Sequence, residues 1–144
     1  MKTGRFRAIL LVLGLGIVAI QLVPITHDNP PPAGALAGAP PEVAGDLRRS
    51  CYNCHSHETR WPWYSHVAPI SWLVAHDVHE GRRHLNFSAW TSYTPQQRAK
   101  KRASISELVQ QRDMPQWYYL PLHREARLSD EDVARIAAWA DSGE

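Results

Sequence analysis

The sequence predicts an all-α domain behind an N-terminal apolar helix. Three observations carry this: apolar residues recur at helical spacing in four separate stretches, two of those stretches open on capping signatures, and alternating strand patterns are almost absent. From Pro41, the residues Val43, Leu47 and Cys51 fall on one face at intervals of four, which predicts a short helix leading into a pair of cysteines. Ser71 is placed to cap a second helix, SWLVAHDVHEGRR, with Trp72, Ala75, Val78 and His79 on its stripe. Thr94-Pro95 combines a capping hydroxyl with proline at the first helical position, and Gln97 completes a capping box. That third helix carries Ala99, Arg102, Ile105, Leu108 and Val109, and must stop before Met114-Pro115 because proline disfavours helix in the preceding residue. Ser129 with Asp132 repeats the capping pattern ahead of the last stripe, Val133, Ile136, Ala137 and Ala140. The apolar content of these helices is thin, while aromatic residues cluster in the loops. This predicts that they wrap something besides protein.

Residues 1–26 begin basic, with Lys2, Arg5 and Arg7, and run apolar from Ala8 to Ile25 apart from Gln21, Pro24 and two glycines. A spanning helix needs about 20 apolar residues, so this segment is near the lower limit for a membrane anchor. A cleaved signal is the alternative, because Ala35-Leu36-Ala37 has the small-x-small form of a cleavage site. The triplet lies far beyond the apolar run, which favours an uncleaved anchor. Either reading leaves the basic flank in the cytoplasm and exports the rest, which predicts a bacterial inner-membrane span with a periplasmic domain. Residues 27–42, HDNPPPAGALAGAPPE, hold five prolines among small residues and read as a semi-stiff linker, leaving 43–144 as the globular domain. Beyond residue 30 basic and acidic side chains are equal in number, so the basic face a nucleic-acid binder needs is missing.

The only two cysteines stand in Cys51-Tyr52-Asn53-Cys54-His55. Two thiols one short turn apart can reach the two vinyl groups of a haem, and the histidine after them can offer its imidazole to the iron. Three other chemistries use such a pair. A thioredoxin-like dithiol normally sits in a βαβ setting, for which strand signals are lacking. Zinc on Cys51, Cys54, His55 and His57 would be a crowded set, and a short-loop disulfide suits an exported protein. Covalent haem, a single haem c, is the expectation. For the far side of the iron, Met114 is the one methionine besides the initiator and stands in a loop beside Pro115. A methionine–histidine pair raises the reduction potential. His123 is the alternative distal ligand, and a vacant sixth position the third option. Arg60 and Arg82 are candidate partners for the haem propionates, since guanidinium meets carboxylate bidentately.

The stretch CYNCHSHETRWPWYSHVAPISWLVAHDVHEGRRHLNFSAW resembles the signature of the bacterial haem-binding domain family, small proteins with one N-terminal apolar segment and one CxxCH. DMPQWYYLPLHREARLSDEDVARIAAWA resembles that family's C-terminal half, in its Met-Pro, Leu-His and Leu-Ser pieces. The resemblance covers about residues 45–142. It implies a covalently bound c-type haem on Cys51 and Cys54 with His55 as axial ligand. It also implies a fold similar to small monohaem cytochromes c, with an N-terminal helix entering CxxCH, a C-terminal helix across it and a methionine loop between. Pieces such as Asn86-Phe87-Ser88 fit the family pattern without an assigned task. The expected role is a membrane-tethered one-electron carrier, not an enzyme, whose partners are redox proteins of the membrane or periplasm. A haem-based sensor with a weak or vacant sixth site is the alternative. A peroxidase-like activity ranks last, because it needs a distal base such as His123 and the sequence offers no acid–base pair at useful spacing.

Overall fold

The computed structural model describes residues 2–34 and 36–143, so Ala35 of the cleavage-site triplet lies outside the described residues. Among these the fold is all-α, with helices α1 (Lys2–Ile20), α2 (Pro41–Ser50), α3 (Tyr52–His55), α4 (Ile70–His84), α5 (Pro95–Gln110) and α6 (Asp130–Asp141). Contacts gather the chain into two units, Met1–His27 with Trp61–Asp77, and Asp28–Arg60 with Val78–Glu144.

In the first unit, α1 is apolar and long enough to cross a membrane or to act as a signal sequence, and none of its apolar window is covered by protein. Just beyond it, the Gln21 side-chain amide donates to the Ala68 carbonyl (3.1 Å) and accepts from the Ala68 N–H (3.0 Å). His27 bonds the Ser65 carbonyl through Nε2 (2.7 Å), and its ring meets Trp61 edge-on and lies against His66. Helix α4 starts one residue earlier than the expected Ser71 cap. Ser71 is buried inside the first turn, and its N–H reaches back to Val67. Of the expected stripe Val78 is buried, while Trp72 is exposed.

The second unit holds the core: Val43, Leu47, Tyr52, Phe87, Trp90, Ile105, Val109, Val133, Ile136, Trp139 and Ala140. Four aromatics thus pack against protein, Tyr52 stacked on Phe87 at 5.0 Å and Trp90 against Trp139 at 6.4 Å. The expectation that the aromatics wrap something else holds at most for the exposed ones. Both capping boxes form, Thr94 with Gln97 and Ser129 with Asp132. Helix α5 ends at Gln110. Arg112 takes the left-handed conformation (φ 62°), and the Asp113 N–H returns to the Leu108 carbonyl (3.0 Å). Helix α6 packs against both α5 and α2. Its junction with α2 is ionic as well as apolar: buried Asp46 accepts from Arg49 (3.1 Å) and Arg135 (2.9 Å), and both arginines also reach Asp132.

Residues 28–40, expected to form part of a linker standing free of the domain, lie along this unit instead. Gly34 donates to the Ser88 carbonyl (2.8 Å) and accepts from the Trp90 N–H (3.3 Å), while Leu36 and Ala39 pack on the core. The Trp139 indole N–H reaches the Gly38 carbonyl (3.2 Å). The physical reason is size. A Cβ at Gly34 would overlap the Thr91 hydroxyl, so only glycine lets the backbones approach this closely.

Candidate haem-binding site

Helix α2 delivers the chain to the cysteine pair: the Cys51 N–H closes on the Leu47 carbonyl (2.8 Å), and the Cys54 and His55 N–H groups both return to the Cys51 carbonyl. The one-turn helix α3 therefore sets both thiols and the imidazole in a single turn of backbone. Both cysteines are free thiols and half-buried. Burial, with Cys54 beside it, pushes the Cys51 thiol up to about 12 against the opposing pull of Arg49. A redox dithiol works through a depressed thiol pKa, so this pair is set up the wrong way for thioredoxin-like exchange. Among the described residues no group of three or more His, Cys, Asp or Glu side chains gathers to hold a metal ion, which leaves zinc without a ligand set.

His55 is held on one nitrogen. Its Nδ1 lies 2.9 Å from the Gly81 carbonyl and 3.1 Å from the Leu85 carbonyl, two acceptors that fix the proton there. The unprotonated nitrogen is then Nε2, the form that ligates iron. Desolvation holds the imidazole below its ordinary pKa, overriding the two backbone acceptors, which favours the neutral form. This arrangement needs α4 to run hard against the motif. A Cβ at Gly81 would stand 2.5 Å from the Cys54 carbonyl oxygen and 3.0 Å from its carbon, both backbone atoms.

Sequence reading missed what holds the far end of the motif, Asn86-Phe87-Ser88. The Phe87 N–H donates to the His55 carbonyl (2.7 Å), and Ser88 Oγ accepts from the His57 N–H (2.9 Å). Asn86 Nδ2 bonds His57 Nε2 (2.8 Å), while His57 Nδ1 faces the Pro31 carbonyl (3.2 Å). His57 is thus committed to holding the loop. These pairings span about thirty residues of chain, and no local pattern announces them.

Arg82 is committed too. Its guanidinium meets Ser56 O, Asp28 Oδ1 and O, Asn29 Oδ1 and Thr59 Oγ1 at 2.8–3.0 Å, clasping the loop after the motif to residues 28–29. Arg60 is exposed. His76, His79 and His84 on α4 are exposed as well.

Met114 is half-buried at the head of the loop after α5, its N–H on the Leu108 carbonyl (3.3 Å). That loop meets the motif where Asn53, inside the CxxC turn, donates from Nδ2 to the Tyr119 hydroxyl (2.7 Å), and it meets the end of α2 where Arg49 donates to the Glu125 and Arg127 carbonyls. Tyr119 stacks flat on His123, 3.9 Å between ring centres, and His123 Nδ1 pairs with Glu125 Oε1 (3.1 Å). An imidazole–carboxylate pair therefore exists in this loop, contrary to the sequence expectation that no acid–base pair stands at useful spacing. Its two members are two residues apart and meet only because the short 3-10 turn Arg124–Ala126 folds Glu125 back.

Taken together, a glycine-cleared contact behind CxxCH, an imidazole locked on Nδ1 and two free thiols on the same turn fit a haem.

The haem-binding domain family matches residues 15–142. Cytochrome c peroxidase Ccp of Escherichia coli (strain K12) is 28% identical over 141 residues, covering 88% of this chain and 30% of that protein. The chain therefore spans less than a third of the length of the curated relative it matches. No solved structure matches it. With the family pattern running from α1 to the end of α6, the chain belongs to the haem-binding domain family.

Proposed function

We propose that this chain is a c-type cytochrome, tethered to the membrane through α1, that carries single electrons in the periplasm. The observation that supports it most is the locked imidazole of His55 directly after Cys51 and Cys54. Bound haem supplies the one-electron chemistry of its iron. Cys51 and Cys54 would hold it as thioethers, His55 Nε2 would ligate the iron, and Met114 is the proposed second axial ligand, with His123 the alternative. The Gly81 and Leu85 carbonyls orient the imidazole and raise its basicity. Of the two proposed propionate partners, Arg60 is the one without a clasp of the kind that engages Arg82.

Retention of α1 is supported by the strap. Cutting after Ala37 would remove Asp28, Asn29 and Gly34, whose bonds to Arg82, Thr59 and Ser88 hold the motif's own loop. A carrier should cycle reversibly by one electron and, when reduced, bind carbon monoxide slowly or not at all. Rapid binding would contradict a filled sixth site and favour the sensor reading.

A second reading rests on a specific observation, the partial likeness to a cytochrome c peroxidase together with the His123–Glu125 pair. It requires steady consumption of hydrogen peroxide in the presence of an electron donor. Loss of that turnover in His123→Ala with haem retained would establish it. Absence of turnover in the wild-type protein would remove it.

A further inference from the structure

The stretch from Trp61 to His76 contains no Asp, Glu, Lys or Arg, and its burial is inside out. The residues hidden in its unit are small: Ser65, Ala68 and Ser71, each three apart and each under 9% exposed. The large apolar ones face outward: Trp63 at 78%, Val67 at 45%, Ile70 at 47%, Leu73 at 46% and Trp72 at 36% exposed. A segment solvated by water buries its large apolar side chains and exposes its small polar ones, so this pattern is the reverse of what water selects. It is what lipid permits, where close packing falls to small residues and apolar side chains turn out to the acyl chains.

The same stretch is pinned to the foot of the apolar helix. Gln21, one residue past α1, clasps both backbone groups of Ala68, and His27 holds Ser65 and packs on Trp61 and His66. The exposed apolar surface is therefore continuous with that of Leu22 and Val23, at the depth where a spanning helix leaves the hydrocarbon. Tryptophan and tyrosine concentrate at that depth, because the ring is apolar and the N–H or O–H still finds polar headgroups. Trp63, 78% exposed, and Tyr64, whose ring meets it edge-on, supply such a belt, while Trp61 packs inward on His27.

We propose that residues 61–73 form a second membrane contact, an interfacial foot seated among phospholipid headgroups beside α1. The proposal rests on α1 being retained as an anchor. It assigns the WPWYS piece to lipid and leaves the haem to the other unit.

The test uses the full-length holoprotein in nanodiscs of phosphatidylethanolamine and phosphatidylglycerol doped with a lipid whose photoactivatable diazirine lies near the glycerol backbone. After irradiation and trypsin, the label should appear in the α1 peptides and in peptide 61–82, concentrated on Trp63 to Leu73. Label on α1 with none on 61–82 would overturn the foot, leave the anchor standing and free that surface for a soluble partner. A chain found to have lost α1, or unlabelled throughout, would remove the anchor and the foot together.

Discussion

The two sides of the CxxCH turn are held very differently. Behind His55, the Gly81 carbonyl of α4, the Leu85 carbonyl just past its end, a glycine contact and the Asn86–Ser88 segment fix the imidazole and the backbone that carries it. On the side of Met114, the loop reaches the motif through the Asn53–Tyr119 hydrogen bond and reaches α2 through Arg49, which donates to the Glu125 and Arg127 carbonyls, while Trp117 and Leu122 on that loop are exposed. One side is clamped through the backbone of the motif itself, and the other is held by side chains on either side of Cys51. Under the proposed ligation, His55 stands on the backbone-clamped side and Met114 on the side-chain-held one.

The largest effect should come from breaking the backbone-clamped side. Gly81→Ala sets a methyl against the Cys54 carbonyl, where neither partner is a side chain that can swing away. Overpacking of this kind costs about 1–3 kcal/mol. Because the displaced element also carries the His55 acceptor, the urea midpoint and the yield of haem-loaded protein should fall together. A variant with normal loading and stability would show that α4 is not the mounting.

Next comes the side-chain-held side. Met114→Ala should lower the reduction potential and allow rapid carbon monoxide binding by the reduced protein, with the covalent haem unchanged. Unchanged spectrum and potential would mean that Met114 does not ligand iron, and His123→Ala would then be the variant to read.

Asn53→Ala removes the Tyr119 bond between loop and motif, together with the acceptor of the Arg60 N–H. A neutral hydrogen bond of this type is worth about 0.5–1.5 kcal/mol, so global stability should change little. Carbon monoxide binding should nevertheless quicken, because the effect is local to the loop. Equal rates in the variant and the wild type would show that the remaining contacts hold the loop without it.

The smallest effect is at the α2–α6 junction, where Arg49 joins Asp132. The Ser129 backbone N–H holds the Asp132 carboxyl below its ordinary value of 3.8 against the opposing effect of burial, helped less strongly by the Ser129 hydroxyl and Arg49. The unfolded chain therefore binds this proton first as pH falls. The stabilisation from Asp132 is full above that value and is lost on acidification through the lower folded one. Asp132→Asn should accordingly be less stable than wild type near neutrality, by about 1 kcal/mol through the weakened cap, with the gap closing in acid. A gap independent of pH would show that charge plays no part.

What the sequence disclosed follows the range of each interaction. Both capping boxes and the helix into Cys51 are local patterns, and all three form. The clamp by Asn86, Phe87 and Ser88, the Arg82 clasp and the Asp46–Arg135 pair join residues 23 to 89 positions apart, and composition carries no trace of them. Residues 28–40 show the opposite error. Proline and small residues suggested a stretch unable to pack, yet the smallness of Gly34 is what lets the backbone lie against Ser88 and Trp90. The aromatics divided by burial and not by unit, four rings entering a protein core and Trp63 and Trp117 remaining exposed.

The central claim is that Cys51 and Cys54 carry the haem covalently. A pyridine haemochrome spectrum of the denatured protein, made in a host able to mature c-type cytochromes, tests it most directly. Haem with both vinyl groups saturated, still on the chain after acid–acetone extraction, is the expected result. It should be reduced to a single saturated vinyl in either Cys51→Ala or Cys54→Ala. Haem that extracts freely into the solvent, or a chain that carries none, would contradict the account.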